Sequence, residues 1–240
     1  MSDNVNDESD TCCRLLRKVI LRPAQKVRKM MRIAVIGASA GLGLETVKGA
    51  LSRNHDVTTL SRSHVKVADD RTVTEVLGSA TEEADLARAI AGADAVIVTL
   101  GLASNREVTT LFSDCAKLLA KLNEAAPSHV PFLFVSGFGA GASRDYATPI
   151  AKLLLKYVLR NSYADKTRME EIVASSSMNW IVVRPGRLLD GKLTENYRTE
   201  NSLFPGIKIG GINRADVAAF LVDQAENPTE LRQYVAISAK

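Results

Sequence analysis

The chain has 240 residues, 46% of them hydrophobic and 24% charged, with a formal charge of +4; this is the balance of a globular protein with one sizeable core. No apolar run approaches the roughly 18–20 residues of a membrane-spanning helix. Seven Lys/Arg and four Asp/Glu fall in residues 1–30, so that segment carries +3 and the remaining 210 residues only +1, too near neutral for a broad nucleic-acid footprint.

Residues 1–30 open with the acidic "SDNVNDESD", wrong for a secretory n-region or an import peptide. "CCRLLRKVILRPAQKVRK" follows, with Leu15, Leu16, Val19 and Ile20 on one helical side among Arg14, Arg17 and Lys18, until Pro23 ends the pattern. A basic amphipathic stretch suits an anionic membrane surface. Met30 and Met31 stand immediately before the first strand, however, so the weightier reading is an upstream extension: a flexible tail, with the body starting at Met31. Three cysteines, two of them adjacent, are too few for a disulfide framework, and a reducing, cytoplasmic setting is expected.

From Arg32 onward, short apolar runs alternate with amphipathic ones. Strands are predicted at 32–37, 56–61, 72–77, 94–100, 131–137, 179–185 and 233–238. Runs apolar on both alternating positions are those of strands buried on both faces. Helices are predicted over 41–53, where Leu44, Val47 and Leu51 share a face, and over 105–126, where Leu111, Cys115, Leu118 and Leu122 form a stripe. The alternation predicts a doubly wound parallel α/β sheet, a Rossmann fold over 31–240. Only about ten residues link the second and third strands, short for a parallel crossover, so a stub or single-turn helix is expected there.

"MRIAVIGASAGLGLETVKGAL" places Gly37, Gly41 and Gly43 between the first strand and the first helix. Glycine admits positive φ and lets backbone amides approach a ligand, and the helix N-terminus suits a pyrophosphate. After the first strand of an alternating chain, this spacing predicts dinucleotide binding. The second strand ends Leu60-Ser61-Arg62-Ser63, with no carboxylate until Asp69. An arginine and two hydroxyls suit a 2′-phosphate where an NAD site would carry an acid, so NADPH is expected over NADH.

"GASAGLG" with "LSR", "GSATEEADLARAIAGADAVIVTLG", "FLFVSGFGAGASR", "YADKTRMEEIV" and "WIVVRPGRLLDGKLTENYR" together resemble the atypical short-chain dehydrogenase/reductases. The nearest branch is the NAD(P)H-binding proteins related to biliverdin/flavin reductase and the NmrA-like regulators, over residues 32–238. The resemblance implies one Rossmann domain with a small C-terminal substrate-pocket region. It places Gly37, Ala38, Ser39, Gly41, Leu42 and Gly43 on the phosphates and Arg62 on the 2′-phosphate. Gly78 and Ser79 fall at the adenine, where the family's Gly-Asp has become Gly-Ser. Leu100 and Gly101 would pass beneath the nicotinamide ribose, Ser136 would end strand five, and Pro185 and Gly186 would bracket the carboxamide.

The family's dyad places Tyr four residues before Lys. Lys166 matches the lysine, but Ser162 stands four residues back and Tyr163 is one residue out of step, about 100° around a helix. The candidate catalytic residues are therefore Ser136, Lys166 and Tyr163, with Tyr163 not expected to relay a proton. A flavin accepts hydride without an enzymic phenol, leaving water or a weak donor such as Ser136 as the acid. Arg144 and Arg187 are candidates to receive an anionic substrate, and Asp145 and Asp190 are weaker candidates to line the pocket. His55, His64 and His129 are scattered without metal-ligand spacing, so surface roles and no metal are expected.

The leading expectation is an NADPH-dependent oxidoreductase reducing a small planar acceptor such as a flavin or quinone, working as a monomer or homodimer. The alternative is an NmrA-like NADP(H)-sensing regulator that binds a protein partner.

Overall fold

A computed structural model of the chain describes residues 29–67, 73–102 and 107–240. The amphipathic segment before Pro23 and the centre of the expected stub helix lie outside the described residues; residues 62–67 form no helix.

In chain order the strands are β1 (Arg32–Ile36), β2 (Asp56–Ser61), β3 (Thr74–Leu77), β4 (Ala95–Val98), β5 (Pro131–Val135), β6 (Asn179–Pro185), β7 (Leu188–Leu189), β8 (Tyr197–Glu200), β9 (Ile212–Asn213) and β10 (Gln233–Ala239). The helices are α1 (Gly41–Ser52), α2 (Glu83–Ile90), α3 (Leu111–Ala125), α4 (Pro149–Tyr157), α5 (Arg160–Ser175) and α6 (Arg214–Glu226), with a 3₁₀ segment at Gly141–Tyr146. The main sheet runs β3-β2-β1-β4-β5-β6-β10-β8, parallel throughout except that β8 meets β10 antiparallel. A small parallel pair, β7 with β9, stands apart.

Strand alternation divides the core in two. Ile33, Val35, Ile97, Leu133, Val183 and Val235 face α1 and α6, meeting Val47, Leu51, Val217 and Leu221. Ala34, Ile36, Val98, Phe134 and Val182 face the other way, onto Leu86 of α2, Cys115 and Leu119 of α3, and Met169 and Val173 of α5. Each strand is thus apolar on both faces because each face carries a helical layer.

The expected strands are all present with small end shifts, whereas β7, β8 and β9 had no clear apolar run. Helix α3 starts at Leu111 rather than 105 because its end is capped from a distance. Buried Asp165 of α5 accepts from the Phe112 and Ser113 amides at 2.9 and 3.4 Å and from Ser113 Oγ at 2.5 Å. One expectation is overturned. His55 is buried, its Nε2 2.8 Å from Glu226 Oε1 and its Nδ1 accepting from the Met31 amide at 3.3 Å. The loop between α1 and β2 tucks the ring under α6, while His64 and His129 are exposed as expected.

Candidate nucleotide-binding site

The C-terminal ends of β1, β2, β3, β4 and β5 open into one cleft of about 790 Å³. Gly37, Ser39, Gly41 and Leu42 line it beside Arg62, Gly78, Ser79, Leu100, Gly101, Ser136 and Lys166. Sequence positions scattered from 37 to 166 therefore share one wall.

The glycines divide the work. Gly37 has φ +89°, and a Cβ there would lie 3.0 Å from the Thr99 carbonyl. Gly43 is the tightest: its Cβ would sit 2.0 Å from the Gly37 oxygen and 2.8 Å from Thr99 Oγ1. It presses α1 against the turn from below rather than lining the cleft, as does the fully buried Ala38. At Gly41 the φ is +55°, and its Cβ would meet only Arg214 Nε at 3.6 Å. Ala40 offers α1 no side-chain cap, and no acid stands in the first turn. Those uncapped amides, at the positive end of the helix dipole and approachable through glycine, fit a pyrophosphate.

Arg62 is exposed on the cleft wall and pairs with no carboxylate among the described residues. The turn after β3 is braced by Asp85 of α2, whose Oδ2 accepts from the Ser79 amide at 2.8 Å. That bond, followed by Arg88, holds the Asp85 carboxyl below its ordinary pKa. A Cβ on Gly78 would strike the same carboxylate at 2.2 Å, so any side chain there would displace Asp85 from the Ser79 amide.

At the far end, Lys166 Nζ donates to the Ser136 carbonyl at 2.6 Å and lies 5.1 and 5.3 Å from the Phe112 and Tyr163 ring centroids. Burial lowers its pKa to about 8, against the opposing pull of Glu170. The Ser136 hydroxyl donates to Glu170 Oε1 at 2.6 Å, and Glu170 is held by Arg184 through bonds of 3.0 and 2.7 Å. With its one proton committed to a carboxylate, Ser136 faces the cleft as an acceptor. This corrects the expectation of Ser136 as a weak acid. Besides the arginines Arg62 and Arg214, Lys166 is the one ionisable side chain on the cleft wall among the described residues.

Tyr163 does not join the cleft. Its hydroxyl lies against Gly137, 2.6 Å from where a Cβ would be, and its ring lines a separate cavity with Arg144. Burial, then Glu170, raises the phenol pKa. Ser162, in the dyad register, is buried and donates to the Leu159 carbonyl. Pro185 and Gly186 lie outside the cleft walls, Gly186 packing so closely on the Gly210 carbonyl that a Cβ would reach 1.8 Å. In "LLDGKLTENY", Thr194 and the Glu195 amide bind buried Asp216, fastening this loop to α6. Arg187 is exposed, and the exposed Asp145 gives its carbonyl to Lys152.

Sequence reasoning missed Leu188 and Arg214, both on the cleft wall. Arg214 begins α6 beside Gly41 and pairs with the exposed Asp190 at 2.5 Å. Neither has a local sequence signal, because only the fold brings α6 to the phosphate turn.

A family model described as NAD(P)H-binding matches residues 37–228. YwnB of Bacillus subtilis, an uncharacterized protein, is 27% identical over 208 residues, 82% of this chain and 93% of its own. Among solved structures, ChuY from Escherichia coli O157:H7, named an anaerobillin reductase, is 23% identical with TM-score 0.69, covering 87% of this chain and 97% of its own. SP1627 from Streptococcus pneumoniae, named as a candidate NADH-flavin reductase, is 24% identical with TM-score 0.68, covering 88% and 100%. At these identities the two structures establish a shared fold. With four-fifths of its length matched by the family model, the chain belongs to the NAD(P)H-binding family.

Proposed function

We infer that this protein is an NADPH-dependent reductase of a small planar acceptor such as a flavin or quinone. The observation that carries the reading is the single cleft running from the uncapped start of α1 past Arg62 to Lys166. The reductase names of two proteins with this fold agree with it.

The phosphate turn would hold the pyrophosphate through the α1 amides, with Arg214 at its rim. Arg62 would take a 2′-phosphate; such a charge-assisted bond contributes about 1.5–3 kcal/mol. Lys166 keeps two N–H donors free after bonding Ser136, enough to hold ribose hydroxyls. The Ser136 hydroxyl would accept from the carboxamide amide. A reduced nicotinamide bound here supplies hydride to an acceptor stacked on it. Any protein-derived proton at that end comes from Lys166 Nζ, since the Tyr163 phenol stands in another cavity.

The test is NADPH oxidation by the full chain against flavins, quinones, biliverdin and aldehydes. Turnover of a planar acceptor, faster with NADPH than NADH, is the expected result. Tight NADPH binding with no turnover of any acceptor would replace it with the sensing-regulator reading.

A further inference from the structure

Helix α4 carries an apolar face that no described residue covers. At 100° per residue, Ile150, Leu153, Leu154 and Tyr157 share an arc of about 100°, and Val158 extends it. Ile150 is 83% exposed, Leu153 60% and Tyr157 69%, while Leu155 on the opposite side is buried. The helix itself is well founded: Pro149 begins it and Thr148 Oγ1 accepts from the Ala151 amide at 3.3 Å. An unpaired stripe of this width on a stable helix calls for a partner.

The chemistry around the stripe selects the partner. Lys156 and Arg160 border it, and no Asp or Glu occurs from Thr148 to Ala164. A cavity of about 480 Å³ adjoins the stripe at Tyr157 and is lined by Arg144, Lys156, Arg160 and Tyr163, with no carboxylate in its wall. None of those three cations forms an ion pair among the described residues. Lys156 Nζ instead sits 5.2 Å over the Tyr157 ring. The exposed Asp145 follows Arg144 and gives its backbone carbonyl to Lys152. An apolar helical face bordered by unneutralised cations and an amphipathic tyrosine matches a bilayer interface rich in phosphate. A second copy docked on the same face would oppose Lys156 and Arg160 to their own counterparts.

We propose that α4 and the cationic cavity adjoining it form a docking surface for an anionic lipid bilayer. The Ile150–Tyr157 stripe enters the boundary between headgroups and acyl chains, and Arg144, Lys156 and Arg160 take lipid phosphates. The surface is separate from the nucleotide cleft, since no α4 residue lines that cleft.

The experiment is co-flotation of the full chain with vesicles of phosphatidylcholine alone or mixed with phosphatidylglycerol. The variants are Ile150→Glu/Leu153→Glu and Lys156→Glu/Arg160→Glu, with melting temperature and NADPH affinity as fold controls. The wild type should float with the mixed vesicles and not with phosphatidylcholine alone, and each double variant should bind about tenfold less or weaker still. The proposal is overturned if the wild type floats with neither vesicle or equally with both. It is also overturned if the variants float like the wild type, which would assign binding to residues 1–28. Loss of self-association in the variants without any vesicle binding would make the face a dimer contact and overturn it too.

Discussion

Lys166 Nζ reaches from α5 to the Ser136 carbonyl at the tip of β5, a 2.6 Å bond joining the cleft's lysine to the sheet. Because burial brings this ammonium down to about 8, its charge should be lost within an accessible pH range. With an active acceptor, kcat/KM should therefore fall as pH rises through about 8, and Lys166→Met should lose that limb along with most of its activity. Stability carries the opposite sign. Between about 8 and 10.5 the unfolded chain binds more protons at this lysine than the folded one, so its unfavourable contribution, complete below 8, is relieved as pH rises. A pH–rate profile and melting curves of the two proteins check both limbs.

Arg62 should set cofactor choice. Arg62→Ala should weaken NADPH binding about ten- to a hundredfold and leave NADH nearly unchanged. Fluorescence titration with each cofactor measures this; equal losses would remove Arg62 from the 2′-phosphate.

The glycines give a graded stability series. A methyl at Gly43 would lie 2.0 Å from the Gly37 oxygen, whereas one at Gly101 meets nothing within 4 Å. Gly43→Ala should cost about 3 kcal/mol or more, and Gly101→Ala should leave the melting temperature unchanged. Denaturant unfolding of both proteins decides it.

Tyr163→Phe should retain most of kcat, because general acid catalysis contributes about 10²–10⁴-fold where it operates and this hydroxyl faces Gly137 rather than the cleft. A thousandfold fall in kcat with NADPH affinity intact would return the phenol to the reaction.

Cys115 should resist alkylation in the native state. It is fully buried on α3, and burial alone pushes its thiol up to about 12, so little thiolate forms near neutral pH. Peptide mapping after iodoacetamide treatment should find it unmodified until the protein is unfolded.

What the sequence reveals is what is written locally. Buried strands announce themselves by continuous apolar runs, and the phosphate turn by its glycines, so local pattern suffices to place β1, α1 and Arg62 at the end of β2, while the Ser79 turn comes from the family resemblance. Tyr163's displacement is legible too, because helical register is a local property. Contacts between distant segments are not. Arg214 reaches Gly41 only once α6 packs on α1, Asp165 caps a helix to which it is not adjacent in sequence, and Ser136's committed proton depends on Glu170 and Arg184. Thr194 is fastened by Asp216, which lies on a different element. His55 reads as exposed because a polar ring in a turn gives no local sign of the glutamate waiting under α6.

The place of β10 bears on how the chain folds during synthesis. Residues 233–239 enter the sheet between β6 and β8, and among the described residues β10 is the only strand with which β8 pairs. Until those seven residues emerge from the ribosome, β6 presents an open edge and β8 has no neighbour, so more than half the sheet can assemble while its far side stays unzipped. Such late, long-range closure favours slow completion and exposes a strand edge to other nascent chains. Loss of residues 233–239 would thus remove two strands from the sheet rather than one.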